Sequence, residues 1–155
     1  MRFDLYGVEL VTYAVKMESS AEFKKLIAAY HEAKGRAYCP YSNFRVGCAL
    51  ITENGEMFTG CNVENASYGL TICAERTVIT KAVSEGHRKF KAIAIGTDIP
   101  DSFAASCGAC RQFIVEFGEC EIFLVKPDLT YMKFPFEQLL PMGFGPRSLD
   151  MNQNI

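Results

Sequence analysis

The chemistry this sequence advertises sits in two short stretches: Thr71-Ile72-Cys73-Ala74-Glu75-Arg76 and Ser106-Cys107-Gly108-Ala109-Cys110-Arg111-Gln112. Cys107 and Cys110 stand three positions apart, so on a helix they share one face and can grip a single ion. Cys73 supplies a third sulfur from a second helix start. Three protein ligands leave one tetrahedral position open, which is the arrangement of a catalytic zinc site rather than a closed structural one. Glu75 lies two residues past Cys73, where its carboxylate can project over that open position and pass protons between water and a bound molecule.

Three thiolates around Zn²⁺ leave a net charge of −1, which weakens the ion's power to acidify water. Helix N-termini present partial positive charge and free N–H donors to the sulfurs, and a guanidinium such as Arg76 or Arg111 can do the same. Both effects withdraw charge from the sulfurs and restore Lewis acidity at the metal. Each sign is weak when taken alone. A single C-x-x-C is as readily a redox pair, although a thioredoxin-like site follows a strand directly and has no third cysteine. A glutamate early in a helix is most often a surface residue that stabilises the helix dipole. The joint pattern, C-x-E at one helix start and C-x-x-C at another, is far more selective.

The elements that must position these residues follow from periodicity. Ser19-Ser20-Ala21-Glu22 has the form of a capping box, and Phe23, Leu26, Ile27 and Tyr30 recur at helical spacing, predicting a helix to about Lys34 with Gly35 ending it. Phe44 to Thr52 reads as a strand, Asn54-Gly55 as a hairpin turn and Met57 to Val63 as the returning strand. A loop over 64–71 leads into a helix from about Cys73 to Ser84, with Val78, Ile79, Ala82 and Val83 as its core face and Gly86 as its cap. Lys91 to Gly96 suits a central strand. A third helix runs from Cys107 to about Phe117 and stops at Gly118. Strands follow over 121–125 and about 130–134, then a short helix near 136–140. The order predicts an α/β fold, a mixed sheet with helices on its faces. Residues 1–18 form an N-terminal extension of unassigned order, 19–150 a single domain and 151–155 a polar tail.

Composition narrows the partners. The 155 residues carry a formal net charge of −2, with Lys and Arg scattered in no long run. That excludes the clustered basic surface on which a polynucleotide is held and favours a small, uncharged or weakly charged substrate. No run approaches the roughly 20 apolar residues of a membrane span. Residues 8–15 are the most apolar stretch near the start, but Glu9 interrupts them and no cleavage site follows. The cysteines number 7, an odd count without a secretory signal, which points to a reducing compartment, the cytoplasm, and to metal or catalysis rather than disulfides. Cys39, Cys48, Cys61 and Cys120 read as small buried hydrophobes. His31 and His87 have no nucleophile nearby in sequence, so nucleophilic catalysis through histidine has little support.

Cys73-Ala74-Glu75-Arg76 and Cys107-Gly108-Ala109-Cys110-Arg111-Gln112 resemble the paired zinc motifs of the small, homotetrameric cytidine deaminases. The similarity runs from about Glu22 to Leu149 and includes Pro40-Tyr41-Ser42-Asn43-Phe44-Arg45-Val46-Gly47, the stretch from Gly60 to Tyr68, and Phe144-Gly145-Pro146. A cysteine-ligated zinc beside a non-ligand glutamate is also the arrangement of nucleobase deaminases in general. The resemblance implies a three-layer α/β/α fold around a five-stranded mixed sheet. It implies one zinc per subunit and the hydrolytic conversion of cytidine and 2′-deoxycytidine to uridine and 2′-deoxyuridine, a pyrimidine-salvage reaction that releases ammonia. Cys73, Cys107 and Cys110 would be the metal ligands and Glu75 the proton carrier, with Arg76 and Gln112 supporting the metal site. Asn62 and Glu64 would hold ribose hydroxyls, rejecting a bare base. Phe44 would pack on the pyrimidine, Ala74 and Glu75 would read the ring edge, and Tyr68 would lie close to the site at a subunit contact. Phe144 would reach into a neighbouring subunit's site.

Without the motifs, Phe44 reads as core, Asn62 as a turn residue and Glu64 as a solvated charge. One departure stands inside the motif: the family usually has proline before the second cysteine pair, where this chain has Ser106. The serine predicts either a looser approach to the helix or a hydroxyl cap for it. Two other functions remain open at this stage. One is a deaminase of another aminopyrimidine nucleoside or a polynucleotide; near-neutral charge and short loops count against the latter. The other is a non-catalytic zinc-binding assembly module, which requires a closed four-ligand site and indifference to loss of Glu75.

Overall fold

Helix α1 (Ala21–Gly35) starts where the Ser20 hydroxyl accepts a hydrogen bond from the Phe23 amide at 3.1 Å. The computed structural model describes residues 20–149; the expected extension, the polar tail and Ser19 itself lie outside them. The cap is therefore one residue later than the capping-box reading placed it. Glu22 moves out of the position from which it would close a box, and its carboxylate pairs with Lys91 instead. Phe23, Leu26, Ile27 and Tyr30 are buried, as their spacing predicted. Gly35 does not end the helix from outside but is its last residue, and Arg36 caps it with φ −97°.

Five strands form one sheet: β1 (Val46–Thr52), β2 (Met57–Cys61), β3 (Phe90–Thr97), β4 (Glu121–Val125) and β5 (Tyr131–Phe134). Their order is β2-β1-β3-β4-β5. Only β3 and β4 run parallel; the other three pairs are antiparallel, which makes the sheet mixed as expected. Gly55, at φ +87°, supplies the left-handed residue that the β1–β2 turn requires. β1 opens at Val46 rather than Phe44 and β2 closes at Cys61 rather than Val63. Val63 instead makes isolated bridges to Tyr38 and Ile72.

Side-chain alternation splits the core into two layers. Ala49, Ile51, Ala94 and Phe123 face α1, where they meet Phe23, Leu26 and Tyr30. Leu50, Ile93, Ile95, Ile122 and Leu124 face the other way and pack against Val78, Ile79 and Ala82 of α2 (Ala74–Ser84) and Ile114 of α3 (Gly108–Val115). The result is the three-layer α/β/α sandwich. Each Val, Leu, Ile or Phe among these side chains contributes about 1.5–3 kcal/mol by leaving water. Gly86 and Gly118, at φ +98° and +82°, follow α2 and α3 as predicted. The stretch expected as a final helix is one 3₁₀ turn over Phe136–Gln138. Of the four cysteines expected in the core only Cys48 is fully buried; Cys39, Cys61 and Cys120 are partly exposed.

Candidate active site

The residues that cap α2 and α3 are cysteines. Cys73 and Cys107 both hold the extended backbone of an N-cap, at φ −72°, ψ 155° and φ −66°, ψ 165°, yet neither side chain makes a capping hydrogen bond to the backbone of its helix. A serine or aspartate in that place would spend its oxygen on the first turn. The sulfurs are free to face one another. Cys73 Sγ and Cys107 Sγ stand 3.8 Å apart, and with Cys110 Sγ all three lie within 4.8 Å of one another. Two sulfurs held about 2.3 Å from a tetrahedral ion are separated by about 3.8 Å. The cluster could therefore hold a zinc ion by distance as well as by donor type. Among the described residues it is the one group of this kind, and it has three members, not four.

Electrostatics around the sulfurs match the sequence reading in part. Arg76 Nη2 lies 3.9 Å from Cys73 Sγ and also donates to the Thr71 carbonyl at 3.0 Å. Hydrogen bonding from Cys110, supported by the Arg76 guanidinium, holds the Cys73 thiol down at about 6 against burial and the charge of Glu75. Cys110 is pushed the other way, first by donating to Cys73 and then by burial. Arg111 does not face the sulfurs: its Nε donates to the Ser106 carbonyl at 2.8 Å and its Nη1 to the Leu139 carbonyl at 3.3 Å. Ser106 does not cap α3 either. Its hydroxyl is buried without a hydrogen-bond partner.

Glu75 is 3 % exposed in the first turn of α2. Its charge bears on both Cys73 and Cys110. A carboxylate in that position, beside sulfurs that could hold a metal, can exchange protons with a molecule bound there. Ala74, between ligand and acid, is fully buried.

The second half of the site is built on the loops beside β1 and β2. Asn62, 7 % exposed, accepts from the Val46 amide and donates to the Phe44 carbonyl, both at 2.8 Å. It clamps the start of β1 and so fixes Phe44, whose ring is 42 % exposed. Glu64 accepts from the Tyr41 and Ser42 amides at 2.9 and 3.2 Å and from the Ser42 hydroxyl. These bonds, the hydroxyl first, hold its carboxyl below the usual range. Tyr41, Ser42, Glu64, Tyr68 and Thr71 line a recess there. Val63, between the two polar residues, exchanges backbone hydrogen bonds with Ile72 at 2.9 and 3.0 Å. Ile72 directly precedes Cys73, so this ladder step joins the polar pair to the sulfur cluster. Ser42, whose hydroxyl donates to Glu64, is a contact the sequence reading did not single out; the two lie 22 positions apart, too far for any local signal. Tyr68 and Phe144 are 72 % and 61 % exposed. Phe144 stands on the segment after β5, where Gln112 Nε2 donates to its carbonyl at 2.7 Å, so the Gln112 amide is spent there rather than on a sulfur.

The chain is similar to known proteins. Residues 20–126 match the family described as the cytidine and deoxycytidylate deaminase zinc-binding region. A probable cytidine deaminase of Dictyostelium discoideum is 54% identical over 128 residues, covering 83% of this chain and 87% of that protein. The cytidine deaminase of Sporosarcina psychrophila is 43% identical over 130 residues, covering 83% of this chain and 95% of its own. Among solved structures, the cytidine deaminase of Burkholderia pseudomallei superposes with a TM-score of 0.75 at 45% identity, covering 78% of this chain and 98% of that one.

Proposed function

The chain belongs to the family of zinc-binding cytidine and deoxycytidylate deaminases, hydrolases acting on a C–N bond, and from that premise we propose how its own residues carry the reaction. Cytidine and water become uridine and ammonia, and 2′-deoxycytidine becomes 2′-deoxyuridine in the same way. Cys73, Cys107 and Cys110 would hold zinc, which supplies Lewis acidity toward water. Glu75 takes a proton from the attacking water at its carboxylate oxygen. It passes that proton to the ring nitrogen, then takes the second proton of the same water from the hydroxyl left on the ring carbon and gives it to the departing amine, so it ends the cycle as it began. The Ala74 backbone and Glu75 read the edge of the ring, and Phe44 covers its face. Asn62 and Glu64 bind the sugar hydroxyls. The single observation that carries this reading is Glu75, 3 % exposed in the first turn of α2, beside three sulfurs at metal-binding separation.

A nucleoside is favoured over its phosphate because the recess offers a carboxylate and hydroxyls and no cation. Arg45, the nearest candidate in sequence, is paired with Asp98 at 2.8 Å. Exposed Tyr68, Leu70, Met142 and Phe144 favour assembly with further copies of the chain, as a homotetramer in which Tyr68 lies at a subunit contact and Phe144 completes a neighbour's pocket. All seven cysteines are free, which suits a cytoplasmic enzyme of pyrimidine salvage. Among the described residues no helix is long and apolar enough to cross a membrane.

The test is a substrate panel read by loss of ultraviolet absorbance with the zinc-loaded protein. Cytidine and deoxycytidine are expected to react, while cytosine, cytidine 5′-monophosphate and a single-stranded oligonucleotide lag by at least about a hundredfold in kcat/KM. Reaction of the oligonucleotide with inert nucleosides would overturn the substrate, and inertness toward the whole panel would overturn the activity.

A further inference from the structure

The segment that follows β5 is strapped to α3 at two points. Arg111 Nη1 donates to the Leu139 carbonyl, and Leu139 is 3 % exposed, anchoring the near end in the core. Gln112, the next residue on the helix, donates to the Phe144 carbonyl at 2.7 Å. Gly145 then closes on α3, where a Cβ would stand 3.6 Å from Val115 Cγ1. Between the ties the chain arches outward. Met142 adopts φ +56° with its side chain fully exposed, and the Gly143 amide bonds back to the Leu140 carbonyl at 3.1 Å. A β-carbon at Gly143 would fall 2.6 Å from Leu140 Cδ2, so the arch is tight. A large apolar ring, Phe144, is thus offered outward from a segment pinned on both sides.

We propose that Gln112 is a positioning residue for the reaction: from the helix that carries Cys107 and Cys110, it fixes the arch so that Phe144 meets a neighbouring copy's site at a set height and angle. This rests on the reading that Phe144 completes a neighbour's pocket. In the separate chain the bond is solvent-exposed and contributes little. Once a second copy covers the apolar arch, the same bond is desolvated, and its loss leaves the Phe144 carbonyl without a donor. The metal-bearing helix and the contact with the neighbour then share one rigid element, because Gln112 lies two residues past Cys110.

The test compares Gln112→Met, Gln112→Glu, Phe144→Ala and the double variant Gln112→Met/Phe144→Ala. Methionine keeps the length and helix preference of glutamine without a donor, and glutamate keeps its shape with an acceptor in the donor's place. Each protein is measured for zinc per chain, assembly size, and kcat and KM with cytidine. Gln112→Met is expected to keep its zinc and its assembly while KM rises about fivefold, the worth of one neutral hydrogen bond, with kcat within about twofold. Gln112→Glu should raise KM at least as far. The double variant should be no worse than Phe144→Ala alone, because both changes remove one contact. Strictly additive effects, a wild-type KM in either Gln112 variant, or zinc loss in Gln112→Met would overturn the proposal. A wild-type KM in Phe144→Ala would instead bring down the reading beneath it, and the proposal with it.

Discussion

Replacing Gly60 with alanine should damage the site without touching any residue in it. Gly60 lies on β2, and a β-carbon there would stand 2.7 Å from the Val78 nitrogen and 2.8 Å from the Ala74 carbonyl oxygen. Those two atoms are the ends of an i→i+4 hydrogen bond in the first turn of α2, the one after the Thr77–Cys73 bond. Ordinary contact starts near 3.4 Å, so α2 must retreat by about 0.7 Å. Both neighbours are backbone, and no side chain can swing aside to relieve the overlap. Overpacking of this kind costs about 1–3 kcal/mol, which lowers Tm by roughly 3–12 °C in a chain of this size. The function should suffer more than the fold. The turn that moves carries Cys73, Ala74 and Glu75, and misplacing reacting groups by ~1 Å costs about a hundredfold. Thermal unfolding and steady-state kinetics with cytidine should therefore show the Tm loss together with a fall in kcat/KM of at least about tenfold. Gly35→Ala is the control, since a β-carbon there meets nothing within 4 Å. Wild-type kcat/KM and Tm in Gly60→Ala would refute the claim that the seat of α2 on β2 sets the site.

Two further outcomes follow from the same geometry. Tyr30 is fully buried, donates to the Lys126 carbonyl at 3.4 Å, and is pushed up to about 12 by burial first and then by Asp98 and Asp128. A folded-state pKa above the unfolded value of about 10 gives stability that is complete below pH 10 and lost as pH rises toward 12; Tyr30→Phe should flatten that loss in alkaline denaturation, and an equally steep loss would contradict it. Cys110→Ser should bind little zinc, so a chelator that lowers the Tm of the wild type should leave the variant's Tm unmoved; an equal shift in both would count against Cys110 as a ligand.

Periodicity carried most of the architecture. Phe23, Leu26, Ile27 and Tyr30 mark one face of α1 unmistakably, and Asn54-Gly55 marks the hairpin, because both signals are local. The errors fall where two local solutions compete or where a distant partner decides. Ser19 and Ser20 are equally good caps by type, and Ser20 is the one whose hydroxyl meets the Phe23 amide. Phe44 has strand character, but its carbonyl is taken by Asn62 from 18 positions away, so the ladder starts later. The sulfur cluster was legible because both cysteine motifs open helices and their spacing is itself the chemistry. The targets of Arg111 and Gln112 were not, since the carbonyls at Leu139 and Phe144 carry no mark in the sequence.

The central claim is that Glu75 moves the proton at a metal site it does not help to build. Glu75→Gln tests it in one preparation by measuring bound zinc and kcat for cytidine side by side. Zinc should stay at about one per chain, because the three sulfurs are untouched, while kcat falls by about 100- to 10,000-fold with the loss of the proton carrier. A zinc-loaded Glu75→Gln protein whose kcat stays within about tenfold of wild type would contradict the account.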